Sequence, residues 1–321
     1  MALLSATALF VGCDRGGTDS KDGATAVKLQ LNWVPEAEFG GIYQAQLDKI
    51  FERESLDVEI RPGVAGVSAP QLVDGGEVEF GIVGGPQVLE LNSQGGELVA
   101  LFAVFQHDPH GIMVPTDSPY KGLADLWADP NATIGAETYL PYVKALNKKY
   151  GVPDGAQFAS FNLPAFRAGK QQASQCFVIA EPVNLELQGF KTRVFLANES
   201  GFDPYNVVLV TRRSYLEKNR DTCEAMVRAF SDGWNAYIAS PNRVNKLMSE
   251  LNPAMSEEAM NISAERQISF IKDASTEENG LGYMTKERWE TIGEQLRELG
   301  LLETVPAGDS VFEWLPAKKK G

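Results

Sequence analysis

A tryptophan stands in a loop that follows the first predicted strand of the chain. That strand alternates apolar and polar residues over 27–31, and a helix is predicted to begin near Gly41. In an open α/β sheet, ligands bind beyond the carboxyl ends of the strands. Trp33 therefore offers a flat aromatic face and one N–H donor at such a place, with Asn32 and Phe39 beside it in the chain. The alternative is that Trp33 packs beneath the helix as part of the core.

Two glycine-containing loops are predicted at the carboxyl ends of later strands. Ser68 follows a glycine-rich turn and can donate a hydrogen bond at the start of the next helix. Gly84 and Gly85 precede a first-turn proline, and free N–H groups at a helix start suit an anionic or carbonyl oxygen. Neither loop contains the lysine of a phosphate-binding loop. The alternative interpretation of both is a plain tight turn.

Both histidines of the chain, His107 and His110, fall in one loop directly after Gln106. A metal site would need a third ligand, and a His-x-x-His spacing in a loop is weak evidence for one. Two imidazoles can instead hydrogen-bond a ring or a carboxylate near neutral pH. We therefore expect Gln106 and His107 to contact a ligand, and we predict no metal site. A surface turn is the alternative.

Three further candidate side chains lie later in the chain. Glu181 ends an apolar strand, where its carboxylate can accept hydrogen bonds from amine or ring N–H groups; the alternative is a helix N-terminal charge. Tyr139 follows another strand, and Tyr205 stands where it can stack on a ligand or pack a hinge. A GxSxG motif is absent, and a Ser-His-Asp triad could use only His107 or His110, with nothing nearby to mark the nucleophile, so we predict no catalytic residue and no cofactor.

Strands and helices alternate through the first two thirds of the chain, and the last third, from about Ser214, is almost wholly helical. This order predicts parallel sheets with helices on both faces, arranged as two α/β lobes. Extended segments near 111–115 and 205–210 separate the two patterns and mark the crossings between lobes. The predicted boundaries are 25–112 with 209–321 for lobe 1 and 113–208 for lobe 2.

The composition excludes a nucleic-acid-binding surface. The chain has 321 residues and a formal net charge of −14, whereas binding to phosphate backbones requires a basic stripe. Its basic cluster, Lys318–Lys320, lies at the C-terminal end and is predicted to be a solvated tail. A length of this order is sufficient for two domains with large cores.

The N-terminus carries a predicted targeting signal. Residues 3–11 are apolar, and Gly12 and Cys13 follow, then a polar, glycine-rich stretch. This arrangement resembles a bacterial lipoprotein signal with its lipobox over 10–13. The apolar stretch is shorter than the about 20 residues that a membrane-spanning helix needs. We predict that 1–24 is signal and linker, and that lipidated Cys13 anchors an extracytoplasmic protein.

Two other cysteines remain, Cys176 and Cys223. A disulfide between them is possible in an exported protein. The apolar run that surrounds Cys176 instead favours a buried free thiol.

Several segments of the chain resemble bacterial solute-binding lipoproteins of ABC importers. They are Asn32–Pro35, Gly41–Ala45, Leu56–Gly63, Glu79–Val83, Asp117–Pro119, Leu123–Leu126 and Ala180–Pro182. That group includes binders of thiamine-pyrimidine precursors, riboflavin, aliphatic sulfonates, taurine and nitrate, and the fungal thiamine-pyrimidine synthases. The resemblance implies a two-lobed, type II-like periplasmic binding protein fold, with parallel-rich sheets, hinge strands and a helical C-terminal segment. It also implies a monomer that delivers a small-molecule ligand to an ABC permease.

The Trp-x-Pro loop is most similar to that of the pyrimidine and flavin binders. This implies that Trp33 and Phe39 stack on a planar ring and that Glu181 bonds the polar edge of the ring. Glu36 and Phe39 stand where pyrimidine binders tend to have Asn and His. The leading hypothesis is therefore a receptor for a small heteroaromatic nutrient.

Two alternatives to that hypothesis remain. The first is an enzyme similar to the thiamine-pyrimidine synthases, whose fungal members carry a cysteine-rich iron motif that is missing from this sequence. The second is a sulfonate-, taurine- or nitrate-binding protein, whose site would need cationic side chains or dense N–H donors. Arg167 is the nearest candidate cation in the sequence.

Overall fold

The computed structural model of the protein describes residues 23–64, 66–151 and 157–315. The predicted signal with Cys13 and the basic cluster at Lys318–Lys320 lie outside the described residues. The strands are Thr25–Gln30 (β1), Leu56–Arg61 (β2), Phe80–Val83 (β3), Leu98–Phe105 (β4), His110–Pro115 (β5), Thr133–Gly135 (β6), Gln157–Ala159 (β7), Ala173–Phe177 (β8), Thr192–Leu196 (β9) and Asn206–Arg212 (β10).

Helices fill most of the connections and the whole C-terminal third. They are Gly40–Leu47 (α1), Ile50–Arg53 (α2), Ala69–Asp74 (α3), Gly85–Ser93 (α4), Leu123–Ala128 (α5), Pro141–Tyr150 (α6), Leu163–Arg167 (α7), Glu181–Leu187 (α8), Arg213–Lys218 (α9), Arg220–Ala239 (α10), Asn242–Leu251 (α11), Glu257–Arg266 (α12), Ile268–Ile271 (α13), Ala274–Asn279 (α14), Lys286–Glu298 (α15) and Gly308–Val311 (α16). The predicted helical C-terminal segment is thus confirmed. None of the helices that the structure describes is both long and apolar enough to span a bilayer.

The strands form two sheets, with the order β2-β1-β3-β10-β4 in the first and β7-β6-β8-β5-β9 in the second. Strand β10 runs antiparallel to both of its neighbours, and so does β5. These two strands are the ones by which the chain enters each sheet from the other sheet, and both run against their neighbours. The predicted two-sheet α/β architecture is confirmed, but the sheets are mixed and not uniformly parallel.

The chain passes from the first sheet to the second through 106–109 and returns through 197–205. We use lobe 1 for the first sheet with α1–α4 and α9–α16, and lobe 2 for the second sheet with α5–α8. The boundaries 25–112, 113–208 and 209–321 stay a proposal. Both passages between the sheets lie a few residues before those boundaries in the chain.

Helix α10 supplies much of the core of lobe 1. Its apolar side chains recur at helical spacing and are all buried, namely Met226, Phe230, Trp234 and Tyr237. Helix α1 packs directly on them through Gly41, where an added Cβ would lie 2.4 Å from the Trp234 ring. This stripe is therefore core, and the paired glycines of α1 allow the close approach of the two helices.

The two cysteines that the structure describes are both free and buried. Cys176 belongs to a small apolar cluster of lobe 2 with Met113 and Phe166, whereas Cys223 lies in the main cluster of lobe 1. The predicted free thiol is confirmed, and the possible disulfide is not formed.

Candidate functional site

The tryptophan loop projects from the carboxyl end of β1. Trp33 is 57% exposed, so it is not packed as core. The loop is shaped by Gly63, whose N–H donates to the Trp33 carbonyl oxygen over 2.8 Å and where an added Cβ would lie 2.4 Å from the Trp33 nitrogen. Asn32 is also exposed. The loop thus presents a bare indole ring on a backbone that the β2 loop supports.

The residues after Trp33 turn back into the protein. Pro35 is buried, and its carbonyl oxygen accepts a hydrogen bond of 3.0 Å from the Asn252 side chain. Glu36 is half-buried, with the side chains of Trp33 and Asn252 within hydrogen-bonding reach of its carboxyl group. Phe39 is completely buried in the main cluster of lobe 1. Its stacking on a ligand stays a prediction.

Glu181 begins α8 in lobe 2. Its carboxylate accepts a hydrogen bond of 2.8 Å from the Phe177 N–H at the end of β8. Burial raises the pKa of Glu181 above its ordinary value, although the backbone N–H groups and His110 lower it in part. The strand before Glu181 thus holds the carboxylate in place while leaving it without a Lys or Arg partner among the described ion pairs.

Helix α12 brings the tryptophan loop and the Glu181 segment together. The Ser263 hydroxyl donates to the carbonyl oxygen of Ile179, two residues before Glu181. The Gln267 amide donates over 3.0 Å to the carbonyl oxygen of Ala37, the residue after Glu36. Side chains four residues apart lie on the same face of a helix. One face of the C-terminal segment therefore contacts both lobes at the place where the candidate residues meet.

The carboxylates that meet there carry raised pKa values. Burial and then the charge of Glu181 raise the pKa of Glu36 to about 7. Burial, followed by the charges of Glu36 and Glu181, raises the pKa of Glu38 well above its ordinary value. A carboxylate that is desolvated beside others of its kind retains its proton at higher pH. Perturbed groups of this kind are frequent at functional sites.

His110 completes the lobe 2 side of this cluster. Its ring stacks on Tyr142 at a centroid distance of 4.7 Å, with the Phe177 ring edge-on at 5.0 Å. Its Nδ1 lies 2.8 Å from an Asp108 carboxylate oxygen. Burial lowers the pKa of His110, but the charges of Asp108 and Glu181 outweigh it, and the pKa is raised. The aromatic wall formed with Tyr142 was not predicted from the sequence.

The other residues of the histidine loop belong to the hinge. The Nδ1 of His107 lies 2.7 Å from an Asp203 carboxylate oxygen in the returning passage. Gln106 is buried and donates to the Ala103 carbonyl oxygen. Tyr205 is also buried, with the Arg288 guanidinium 4.1 Å from the centre of its ring. Of the two interpretations of Tyr205, hinge packing is therefore the one that the structure shows.

The glycine helix start does not offer free donors. The N–H of Gly84 donates over 2.9 Å to the side chain of Gln87, and the N–H of Gly85 donates over 2.9 Å to the Tyr205 carbonyl oxygen. The expectation of unused N–H groups is therefore wrong in this conformation. The Tyr205 carbonyl oxygen, in the returning passage, accepts one of them. Tyr205 lies 120 positions from Gly85 in the chain, so a local motif does not reveal this contact.

Two more predicted residues lie apart from the cluster described above. Ser68 precedes α3, and its hydroxyl makes no capping bond to that helix. Tyr139 is 66% exposed, and its hydroxyl donates over 2.7 Å to Glu137. Their contact with a ligand stays a prediction. Among the described residues, no group of three or more His, Cys, Asp or Glu is arranged to hold a metal ion.

The sequence was compared with models of known families. The model described as NMT1/THI5 like matches residues 36–244, which is more than half of the chain. The chain belongs to the NMT1/THI5 like family. The match includes the Glu36–Phe39 turn and Glu181. It ends before Ser263 of α12 and before Gln267, the residue that follows this helix, which together contact both lobes.

Known proteins resemble the chain over nearly its full length. The formylaminopyrimidine-binding protein of Halalkalibacterium halodurans is 22% identical, over 97% of this chain and 97% of the relative. A ligand-binding component of an ABC-type import system from Staphylococcus aureus superposes with a TM-score of 0.68 at 14% identity, covering 92% and 99% of the two chains. The periplasmic aliphatic sulphonate binding protein SsuA of Escherichia coli gives a TM-score of 0.68 at 14% identity, covering 92% and 94% of the two chains. The relative from Halalkalibacterium halodurans is named as a binding protein, and the superpositions establish the fold.

Proposed function

We propose that this protein is the substrate-binding component of an ABC importer and captures a planar heteroaromatic nutrient, such as a pyrimidine precursor of thiamine, between its lobes. The observation that carries the proposal is the position of Trp33. Trp33 is 57% exposed, and the loop continues to Ala37, which contacts the same part of the C-terminal segment as Ile179, two residues before Glu181. An exposed aromatic face with a carboxylate nearby suits a flat ring that has N–H groups at its edge.

The full-length similarity to a formylaminopyrimidine-binding protein supports the same class of ligand. Arg167, the cation that an anion-binding site would use, is exposed and bonds the side chain of Gln188 over 2.6 Å. A sulfonate, taurine or nitrate ligand would then face carboxylates at the cleft. We propose a binding role and not an enzymatic one, because the relative that covers the chain from end to end is a binding protein.

A thermal-shift screen tests the ligand class directly. The purified protein is heated with hydroxymethylpyrimidine, formylaminopyrimidine, riboflavin, taurine, an alkanesulfonate or nitrate. A ligand at 100 times its dissociation constant adds about 2.7 kcal/mol to stability, which is easily seen as a rise in melting temperature. A rise with a ring compound supports the proposal, whereas a rise with taurine, the sulfonate or nitrate alone would refute it. Pyrimidine synthesis on adding iron and pyridoxal phosphate would instead establish the enzyme.

We further propose that the protein acts outside the cytoplasmic membrane as a monomer held by a lipid on Cys13, beside its permease. The support is the lipobox-like sequence over 10–13. Labelling of expressing cells with a radioactive fatty acid tests this, with Cys13→Ser as the comparison. Label on the wild-type protein and none on the variant is the expected result. Equal labelling of both proteins, or none on either, would refute the anchor.

A further inference from the structure

Three glutamates lie on backbone segments of the two lobes that contact the same part of the C-terminal segment. Glu36 and Glu38 flank Ala37, which Gln267 holds, and Glu181 follows two residues after Ile179, which Ser263 holds. The charge of Glu181 acts on both lobe 1 carboxylates. The arrangement therefore depends on long-range contacts between both lobes and the C-terminal segment.

Among these three glutamates, Glu38 has the fewest hydrogen-bonding partners for its carboxyl group. It is 6% exposed, and no hydrogen bond to its carboxyl group is found among the described residues. A buried carboxylate without a donor is unfavourable unless it is protonated or meets a cation. No described ion pair connects Glu36, Glu38 or Glu181 to a Lys or Arg. His110 is the neighbour whose charge, when its ring is protonated, lowers the pKa of Glu181.

We propose that Glu36, Glu38 and Glu181 select a ligand that binds as a cation, a planar ring carrying a protonated amine or amidine nitrogen. This inference rests on the proposed function, because it places the ligand in the same cleft. The ring lies against Trp33, and its charged nitrogen donates to the carboxylates. Charge-assisted hydrogen bonds of this kind are about twice as strong as neutral ones. An anionic ligand would instead add negative charge to an acidic site.

Binding of a cation changes the number of protons that the site holds, and this change can be measured. Because burial raises the pKa of Glu36 to about 7 and raises that of Glu38 well above its ordinary value, the ligand-free site holds more protons near neutral pH than exposed carboxylates would. A cation that bonds to these carboxylates favours their ionised forms. Protons then leave for the solvent as the ligand binds, without any covalent step.

The test compares two ligands on the full chain by titration calorimetry at neutral pH, the aminomethyl and hydroxymethyl forms of the same aminopyrimidine. The two compounds share the same ring. The aminomethyl form carries an ammonium group where the hydroxymethyl form carries a hydroxyl group. We expect the aminomethyl form to bind about tenfold more tightly or better, the effect of one charge-assisted contact. Its binding heat should also differ between buffers of different ionisation enthalpy in the direction of proton release.

Charge-removing variants connect this preference to the named residues. In Glu36→Gln and Glu38→Gln, the ratio of the two affinities should fall towards one, whereas Glu265→Gln, an exposed change of equal charge on α12, should keep it. A preserved ratio in both cleft variants would overturn the assignment. Equal or tighter binding of the hydroxymethyl form by the wild-type protein would overturn the inference and leave the proposed function standing. Binding of neither ring would overturn both.

Discussion

His107 and Asp203 connect the two passages between the lobes: Nδ1 of the histidine lies 2.7 Å from an oxygen of the carboxylate, 96 positions away in the chain. The other oxygen of Asp203 accepts a hydrogen bond of 2.8 Å from the Asp108 N–H. Asp108 in turn receives the side chains of His110 and Asn206. The hinge is therefore a cross-linked polar network, and its geometry depends on ionisable groups.

Asp203→Asn should weaken the protein more at pH 6 than at pH 8. The hydrogen bond to Asp203 is the main cause of the raised pKa of His107, with a smaller contribution from the charge of Asp203. A histidine with a raised pKa stabilises the folded state below its unfolded value, and this stabilisation is lost as pH rises through the folded value. The asparagine can still accept the Asp108 N–H. Urea denaturation at both pH values measures the difference, and Asp117→Asn on the exposed surface is the control.

Glu36→Gln should stabilise the ligand-free protein at pH 8 and have little effect at pH 5. Because the pKa of Glu36 is raised from 4.5 to about 7, the folded state holds an extra proton between these values. The free energy of unfolding then falls as pH rises through this window, by at most about 1.4 kcal/mol per pH unit. Melting temperatures of both proteins across pH 5–8 test this. A parallel decline in the wild-type protein, Glu36→Gln and Glu265→Gln would contradict it.

Trp33→Ala should abolish binding of the ring ligand and leave the fold intact. The side chain is 57% exposed, so its removal creates no core cavity. Trp33→Phe keeps an aromatic face and loses the N–H donor, so it should retain most of the affinity. Calorimetry with the ligand that the screen finds provides the dissociation constants, and melting temperature checks the fold. Wild-type affinity in the alanine variant would show that the loop does not touch the ligand.

Ser263→Ala should weaken ligand binding by about twofold to tenfold, the value of one neutral hydrogen bond. Its hydroxyl bonds Ile179 across the lobes, and we expect separation of the lobes to break this contact, so the substitution weakens the closed state. Because ligand affinity depends on the fraction of closed protein, the loss appears in the dissociation constant. Ser269→Ala removes an exposed hydroxyl that bonds only within the same helical segment and should leave affinity unchanged.

Gly41→Ala should destabilise lobe 1 by about 1–3 kcal/mol, the usual effect of overpacking a core. The added carbon would lie 2.4 Å from the Trp234 ring, between helices α1 and α10. Gly122→Ala is the matched control, because an added carbon there meets nothing within 4 Å. Denaturant unfolding of both variants measures the effect. Equal stabilities would mean that α1 can shift away from α10 without loss.

Local patterns were sufficient to predict the alternation of strands and helices, the two sheets and the helical last third. The alternation before Trp33 and the spacing of Trp234 and Tyr237 are properties of neighbouring residues, and burial follows from them. A strand as short as β7, with three residues, carries too little periodicity to be distinguished from a loop. The mixed direction of the sheets depends on where the chain re-enters each lobe.

The candidate site was only partly predictable, because its electrostatics come from distant contacts. In the sequence, Glu38 is a polar residue at a turn. In the structure this turn is buried, because Gln267 bonds the carbonyl oxygen of the adjacent Ala37 from 230 positions away in the chain. In the same way, the backbone of Tyr205 takes the Gly85 N–H that was expected to be free. Propensity and spacing carry no information about such pairings.

Strand β10 fills the place between β3 and β4 in the first sheet. Lobe 2 is built from one continuous stretch, whereas lobe 1 lacks its inner strand until residues 206–212 have been synthesised. During synthesis the second sheet can form first. Until β10 is available, the edges of β3 and β4 that it will occupy stay unpaired, and unpaired strand edges are sites of aggregation. The second sheet can thus be complete before the first, and a polypeptide that stops before Asn206 leaves the tryptophan loop without a finished scaffold.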